Sequence, residues 1–351
     1  MNRYIELDLH FTNKCNMTCK HCLYSSGQDI GEVSIDALNR TIREFASIGL
    51  ETIHIGGGEP LTRYEDLLSF VENATRYGVR TRLITNATLL TEAKLEELIE
   101  YGLKELLISI DGMEEYHNSF RNFPGSFQKC IEALEMASQK PIFTRVNSVL
   151  TQENADEILQ LMELTTSIPI DVHAVLCLSP MGRGATIYNL VPSFEDVEHF
   201  ILKAKKKFTR SGITTRLQIQ KGYLEPDQGD PYDYCRIQKR INALIYSTGN
   251  VYPCVRFSNY GTPMHEAYSL GNINNESILD IWGNNNERWN LFERELKRCS
   301  DCLQDKCEGG CRGLMQVTEG NMNLCDYRCD YSYSKKLPSC IRRYEIINTN
   351  R

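Results

Sequence analysis

Over about half of the chain, short apolar runs alternate with longer segments of helical periodicity, and this alternation constrains the fold more than any other feature. Six runs have the length and apolar content of strands, at 4–11, 52–58, 81–86, 106–111, 142–149 and 172–178. Helical segments lie between them, at 34–48, 65–77, 92–101, 126–138 and 154–167. Strands joined through helices form parallel sheets with right-handed crossovers. We therefore predict an α/β domain built as a partial (β/α)6 barrel.

Each of the first four predicted strands leads directly into a polar or glycine-rich motif. The motifs are TNKCNMTCKHC (12–22), GGGEP (56–60), TNA (85–87) and SIDG (109–112). The carboxyl ends of parallel strands share one edge, and barrel enzymes build their active sites there. We therefore predict that the four motifs line a single pocket.

The composition excludes several classes of protein. The 351 residues carry a formal net charge of −7, which argues against a general nucleic-acid-binding surface. No apolar stretch approaches the roughly 20 residues that cross a bilayer, and the N-terminus lacks a signal-peptide core. We expect a cytoplasmic protein that binds neither nucleic acid nor membrane. Thiols stay reduced in that compartment, so the 14 cysteines predict metal ligation rather than disulfides.

Three cysteines, Cys15, Cys19 and Cys22, lie close together after the first predicted strand. A structural zinc ion usually takes four protein ligands. In a cluster of four irons each iron takes one thiolate, so three cysteines leave one iron open for a substrate or a cofactor. A zinc site with a distant fourth ligand and three unrelated buried thiols are the alternatives at this point.

With this cysteine spacing and the GGGEP motif, the sequence resembles the radical S-adenosylmethionine (SAM) enzymes. The resemblance implies that the open iron chelates the amino and carboxylate groups of SAM. An electron from the cluster would then cleave the sulfonium bond and give a 5′-deoxyadenosyl radical, which abstracts hydrogen from the substrate. His21 stands where the family often has an aromatic residue.

The same resemblance assigns the polar motifs to SAM binding. GGGEP is the segment that would hydrogen-bond the SAM amino group, and SIDG would lie near the ribose or the carboxylate. The assigned residues lie at or near the ends of predicted strands: Gly57, Gly58, Glu59, Asn86, Ser109, Asp111 and Asn147. For each polar residue taken singly, capping of its own loop is the alternative.

Nine further cysteines follow from Cys235 onward, in a segment with little hydrophobic periodicity. Their spacing resembles the SPASM extension, which carries twin auxiliary clusters in many peptide-modifying radical SAM enzymes, although one interval is a residue shorter than usual. We therefore expect a radical SAM barrel over 1–220 and a SPASM domain over 221–351. A zinc module is the alternative for this segment.

The resemblance implies three 4Fe-4S clusters, one that binds SAM and two auxiliary ones. The first auxiliary cluster would be held by Cys235, Cys254 and Cys311. The second would be held by Cys299, Cys302, Cys307 and Cys329. Candidates for the remaining ligand of the first cluster are Cys325 and Cys340. A non-cysteine ligand, an open iron, and packing as the role of the two extra thiols stay open.

The resemblance favours an enzyme that abstracts hydrogen from a ribosomally made precursor peptide and installs a side-chain cross-link, either C–C or thioether. The alternatives are a peptide epimerase, a sulfatase-type maturase and an enzyme acting on a haem precursor or another small molecule. A non-enzymatic iron–sulfur protein is the alternative from a different class. Cys177, at the end of the sixth predicted strand, would be the hydrogen-atom donor of an epimerase, or else a buried packing residue.

The first predicted strand begins almost at the first residue, so we expect no peptide-recognition domain before the barrel. A peptide substrate would then need a separate leader-binding protein, or recognition by the barrel itself. Reduction of the clusters implies a flavodoxin- or ferredoxin-type electron donor.

Overall fold

The computed structural model describes residues 5–209, 215–220, 237, 240–258, 266–283, 286–292 and 344–347. Its strands are β1 (Ile5–Thr12), β2 (Leu50–Gly57), β3 (Arg80–Thr85), β4 (Glu105–Ser109), β5 (Phe143–Leu150), β6 (Val172–Cys177), β7 (Arg216–Gln220), β8 (Asn242–Ile245), β9 (Asn250–Tyr252), β10 (Gly271–Asn272) and β11 (Tyr344–Ile347). Its α-helices are α1 (Ile35–Ala46), α2 (Tyr64–Arg76), α3 (Glu92–Glu100), α4 (Glu114–Arg121), α5 (Ser126–Ser138), α6 (Ala155–Thr166), α7 (Phe194–Phe208) and α8 (Ile278–Trp282).

Strands β1 to β7 lie side by side in chain order, and each neighbouring pair is parallel. The predicted α/β barrel is therefore confirmed, and its sheet is open rather than closed. All six predicted strands are present. Strand β7 is a seventh that the sequence did not predict, because its segment RLQIQ contains only two apolar residues.

The C-terminal region adds strands to both edges of this sheet. Strand β8 pairs in parallel with β1, from Glu6 opposite Asn242 to Leu9 opposite Ile245. Strand β11 pairs antiparallel with β7 at the other edge. The predicted boundary at 220/221 falls directly after β7, yet β8 and β11 extend the barrel's own sheet. How the chain divides into domains stays a prediction.

The two faces of the barrel strands differ in polarity, as the period of two along a strand requires. In β1, Leu7, Leu9 and Phe11 belong to the main apolar core. Glu6 and Asp8 alternate with them along β1 and therefore lie on the opposite face of the sheet, which we call the inner face. There Asp8 accepts a hydrogen bond from Asn242 of β8 at 3.2 Å.

Polar and charged residues of adjacent strands are paired across this inner face. His54 of β2 lies 3.1 Å from the Asp8 carboxylate, and Arg82 of β3 is 2.9 Å from His54. Arg82 also forms a 2.7 Å ion pair with Glu105 of β4. Pairing of this kind compensates the cost of withdrawing charges from water.

Three helix ends carry common capping residues. Ser34 caps α1 by accepting a hydrogen bond from the Ala37 amide at 3.2 Å. Gly78 and Gly102 follow α2 and α3 with φ angles of 72° and 108°, a region that glycine occupies without strain. Among the described residues, no helix is long and apolar enough to span a membrane.

Candidate active site

The loop that follows β1, residues 13–28 (the cysteine loop), carries all three predicted cluster ligands, each of them partly buried. Burial, with smaller contributions from the nearby Glu59, Cys19 and Cys22, raises the pKa of the Cys15 thiol to about 12. The pKa of Cys19 is also raised by burial, although Arg121 and Arg183 oppose the shift. The Cys15 and Cys19 thiols are thus protonated in the chain alone, whereas bound iron would favour their thiolate forms.

This environment fits an iron–sulfur cluster. Three sulfur ligands share one loop, and the two arginines supply positive charge that would compensate the thiolates. Within the described residues, no three His, Cys, Asp or Glu side chains are spaced to hold a single metal ion. A cluster differs from a single ion in needing one thiolate per iron, so its ligands stand farther apart.

Arg183, in the segment after β6, holds the cysteine loop through three hydrogen bonds. Its guanidinium donates to the carbonyls of Cys19 at 2.8 Å and Ser26 at 2.9 Å, and its amide donates to Cys22 at 3.0 Å. Gly182 lies so close to the Cys22 carbonyl that a Cβ there would be in steric conflict. The sequence offered a signal in SPMGRG (179–184), but no function was predicted for Arg183.

The glycines of GGGEP allow the end of β2 to lie against the cysteine loop. The Gly58 amide donates to Thr12 at 2.7 Å, and the Glu59 amide donates to Lys14 at 2.8 Å. A Cβ on Gly58 would overlap the Lys14 carbonyl, and one on Gly57 would approach the His10 ring to 2.8 Å. Close packing of the turn against the cysteine loop and β1 therefore accounts for these glycines. Gly57 and Gly58 are nevertheless partly exposed.

The Glu59 side chain is fully buried and joins β2 to β3. One oxygen accepts from the Leu61 amide at 3.1 Å and the Thr85 hydroxyl at 2.8 Å, and the other accepts from the Asn86 amide at 2.8 Å. Burial raises the pKa of Glu59, although these hydrogen bonds favour its ionised form. Its carboxylate is therefore engaged by the protein, and the neighbouring backbone is the part that faces solvent.

Asp111 joins three other segments at the end of β4. It forms a buried 2.8 Å ion pair with Arg121 of α4 and accepts a hydrogen bond from the Val149 amide at 2.9 Å. The ring of His21, in the cysteine loop, lies 3.4 Å from the same carboxylate and stacks on Phe120 at 4.3 Å. Burial opposes ionisation, but Arg121 and nearby histidines hold the pKa of Asp111 below its usual value.

The remaining predicted SAM residues fall into two groups. Asn86 is buried and donates to Asn16 of the cysteine loop at 2.9 Å. Ser109 and Asn147 are register partners on β4 and β5, and both are partly exposed. Asn147 also accepts a hydrogen bond from Arg145 at 2.7 Å. The structure thus brings the four motifs to one edge, with Gly57, Gly58, Ser109 and Asn147 presenting accessible surface.

Cys130 of α5 contacts the backbone at this edge, which the sequence did not predict. Its buried thiol donates to the carbonyls of Asn86 at 3.4 Å and Ser109 at 3.8 Å. A cysteine within an amphipathic helix carries no sequence signal for this contact, because both carbonyls lie more than 20 residues before Cys130 in the chain.

Cys177 lies on the face of the sheet that the helices cover. Its register partner Leu150 and its neighbour Val175 belong to an apolar cluster with α6 and α7, and Cys177 packs against that cluster. Cys177 and Leu150 share a face because they pair in register. Asn147 precedes Leu150 by three residues on β5 and therefore lies on the opposite face. The placement supports packing, and it gives no support to a thiol that faces the pocket.

Of the cysteines predicted to hold auxiliary clusters, Cys254 is described and is partly buried. The others lie outside the described residues: Cys235, Cys299, Cys302, Cys307, Cys311, Cys325, Cys329 and Cys340.

Comparison with known proteins identifies two matching regions. The model of the radical SAM superfamily matches residues 9–165, and that of SPASM, an iron–sulfur cluster-binding domain, matches 235–304. A GTP 3′,8-cyclase of Clostridium perfringens (strain 13 / Type A) is 31% identical over 225 residues, covering 62% of this chain and 68% of the relative. The chain belongs to the radical SAM superfamily. The prediction of a radical SAM enzyme with a SPASM region is confirmed.

Other relatives of this radical SAM enzyme match along most of its length. An AdoMet-dependent heme synthase of Methanosarcina barkeri is 29% identical, covering 93% of this chain and 96% of the relative. A PqqA peptide cyclase of Bradyrhizobium diazoefficiens is 26% identical, covering 92% and 85% respectively.

Two solved structures share the fold of this radical SAM enzyme. Streptococcus suis SuiB bound to precursor peptide SuiA has a TM-score of 0.75 and 19% identity, covering 93% of this chain and 75% of that one. The protein anSMEcpe with bound AdoMet and Cp18Cys peptide has a TM-score of 0.72 and 20% identity, covering 93% and 94%.

Proposed function

We propose that this radical SAM enzyme acts on a ribosomally made precursor peptide and installs a side-chain cross-link. The observation that carries the proposal is the fold, because SuiB bound to its precursor peptide superposes on 93% of the chain. The peptide-bound anSMEcpe structure and the PqqA peptide cyclase point to the same class of substrate.

The residues of the cysteine loop would bind the cluster that SAM completes. Cys15, Cys19 and Cys22 supply the thiolates, while Arg121 and Arg183 compensate their charge. SAM and the cluster, when bound, supply the 5′-deoxyadenosyl radical. SAM would contact the accessible Gly57, Gly58, Ser109 and Asn147, and the buried Glu59, Asn86 and Asp111 would hold those segments in position.

Two auxiliary clusters would accept the electron that a cross-link releases from the substrate. The ligands proposed for the first are Cys235, Cys254 and Cys311, with Cys325 or Cys340 as the remaining one. Those proposed for the second are Cys299, Cys302, Cys307 and Cys329. Electrons for SAM cleavage would come from a flavodoxin- or ferredoxin-type donor in the cytoplasm, and a leader-binding protein would present the peptide.

A haem precursor is the second candidate substrate. The AdoMet-dependent heme synthase favours it, because that relative matches over 96% of its own length. An epimerase that uses Cys177 is a further proposal, although the observed packing of that thiol does not favour it.

Three measurements on the anaerobically reconstituted enzyme test these proposals. Release of 5′-deoxyadenosine from SAM should accelerate when the correct substrate is added, so peptides encoded near the gene and an iron porphyrin are compared. A peptide that loses two mass units supports a cross-link, whereas unchanged mass with deuterium uptake from solvent supports epimerisation. Acceleration by the porphyrin alone would contradict the peptide proposal.

A further inference from the structure

Part of the SPASM region packs directly on the cysteine loop. The segment 240–258, which contains β8 and β9 and which we call the C-terminal hairpin, lies within the stretch that the SPASM model matches. Its strand β8 pairs with β1, the strand that leads into the cysteine loop. Its Ser247 carbonyl accepts a 2.6 Å hydrogen bond from Val33, just beyond that loop.

Three aromatic rings in contact form the first bridge between the two segments: His10 and Tyr246 are buried, and Tyr24 is partly buried. The His10 ring of β1 lies 4.2 Å from the Tyr246 ring of the hairpin, and the two planes are within 3° of parallel. On the loop side, the Tyr24 ring is also 4.2 Å from His10, and Tyr24 follows Cys22 by two residues. The imidazole of His10 thus links Tyr246 to the part of the cysteine loop that contains Cys22.

The His10 ring has little freedom to move between the two tyrosine rings. Its Nε2 is hydrogen-bonded to Ser26 of the cysteine loop at 3.3 Å. Its edge lies against Gly57, where a Cβ would approach the ring to 2.8 Å. Because the ring is enclosed on several sides, a shift of Tyr246 is transmitted to the loop rather than absorbed by empty space.

Two arginines that contact the segment after β6, or lie in it, form the second bridge. Arg256, two residues after Cys254, donates a hydrogen bond to the Ser179 hydroxyl in the segment that follows β6. The same segment contains Arg183, which donates to the carbonyls of Cys19 and Ser26. The hairpin therefore supports the cysteine loop by two routes, one apolar and one polar.

We propose that Tyr246 and Arg256 are positioning residues for the three-cysteine loop, so that the SPASM region sets the geometry in which the cluster binds SAM. The inference rests on membership of the radical SAM superfamily and is independent of the peptide proposal. Neither bridge passes through an auxiliary cluster, because the described contacts are made by side chains and backbone. Ligand geometry at a metal site depends on the contacts that orient the ligands, and small displacements there have large effects.

The test compares Tyr246→Leu and Arg256→Met with matched controls in the full-length, anaerobically reconstituted protein. Tyr246→Phe keeps the stacked ring, and Arg256→Lys keeps the charge. Phe257→Leu removes an equally buried ring that packs on Tyr268 and Phe292 of the C-terminal region. The readout is the difference between electron paramagnetic resonance spectra with and without SAM, which reports the cluster that binds SAM, together with the SAM dissociation constant.

We expect Tyr246→Leu and Arg256→Met to change the difference spectrum and to weaken SAM binding by about tenfold or more. The Phe variant of Tyr246 and the Phe257→Leu control should stay close to the unmodified protein. An effect of Phe257→Leu as large as that of Tyr246→Leu would overturn the proposal, because general packing would then suffice. If Tyr246→Leu does not fold, Arg256→Met decides, and an unchanged spectrum and affinity for that variant would refute the proposal.

Discussion

Asp111 is the residue on which most segments of the site depend. Its buried carboxylate holds Arg121, the Val149 amide and the His21 ring together. We predict that Asp111→Asn lowers the free energy of unfolding by about 3–5 kcal/mol at pH 7, because Arg121 then remains as an uncompensated buried charge. Denaturant unfolding of the two proteins measures this difference.

The pH dependence provides an independent check on Asp111. Its pKa is lowered in the folded chain, so its contribution is present at neutral pH and is lost as the pH falls from about 4 through the folded pKa. The difference between Asp111→Asn and the unmodified protein should shrink over that range. As a control, Glu72→Gln breaks an exposed pair with Arg76 and should cost at most about 0.5 kcal/mol. Equal costs for the two substitutions would contradict the prediction.

Arg183 contributes two side-chain hydrogen bonds and a positive charge to the cysteine loop. We predict that Arg183→Gln weakens retention of the SAM-binding cluster by about 10- to 100-fold, as loss of a ligand-orienting contact generally does. Arg183→Lys should fall between, because it keeps the charge without the planar fork. Iron loss to a chelator, followed through the SAM-dependent resonance signal, measures the effect, and equal retention by all three proteins would exclude it.

Among the structural elements, the turn after β2 requires glycine at position 58 for lack of space, and this requirement can be tested separately from a need for an unusual φ angle. We predict that Gly58→Ala lowers binding of SAM and of the nearby cluster, because the added Cβ pushes the turn away from the Lys14 carbonyl. Gly125→Ala is the control, since its φ of 76° makes alanine strained while no atom lies within 4 Å of the new Cβ. The control should cost about 1–2 kcal/mol in the free energy of unfolding and leave SAM affinity unchanged. Equal SAM affinity in both variants would contradict the prediction.

Elements with a strong local pattern could be predicted from the sequence, and those defined by distant partners could not. The six apolar strands and the Ser34 cap follow from spacing and residue type alone. Strand β8 is short, and its partner β1 is more than 200 residues away in the chain, so no local periodicity reveals the pairing.

The same distinction applies to the candidate site. The motifs correctly predicted that the loops after β1 to β4 lie at one edge, because these parallel strands are neighbours in the sheet. They did not predict that the Glu59 and Asp111 side chains bind other segments of the protein, since those contacts depend on hydrogen-bond partners contributed by neighbouring strands. The orientation of Cys177 likewise follows from its register with Leu150, which the sequence does not encode locally.

For the whole molecule, the sheet makes the radical SAM and SPASM regions parts of one structure. Strands from the C-terminal region lie at both edges of the barrel sheet, beside β1 and beside β7. The edge strands of an open sheet expose unpaired backbone groups, and these additional pairings satisfy them. Loss of the cysteine loop's cluster should therefore leave the rest of the molecule folded, because the sheet does not depend on it.

The number of irons tests this organisation together with the proposed ligands. Three 4Fe-4S clusters correspond to about twelve irons per chain. We predict that replacing Cys15, Cys19 and Cys22 together by alanine leaves about eight irons, abolishes 5′-deoxyadenosine formation and preserves the far-ultraviolet circular dichroism of the unmodified protein. Replacing Cys254 alone should spare the cluster that binds SAM, so its SAM-dependent resonance signal persists while total iron falls. About four irons in the unmodified protein would contradict the three-cluster proposal, and loss of all iron in the triple variant would show that the auxiliary sites depend on the cysteine loop.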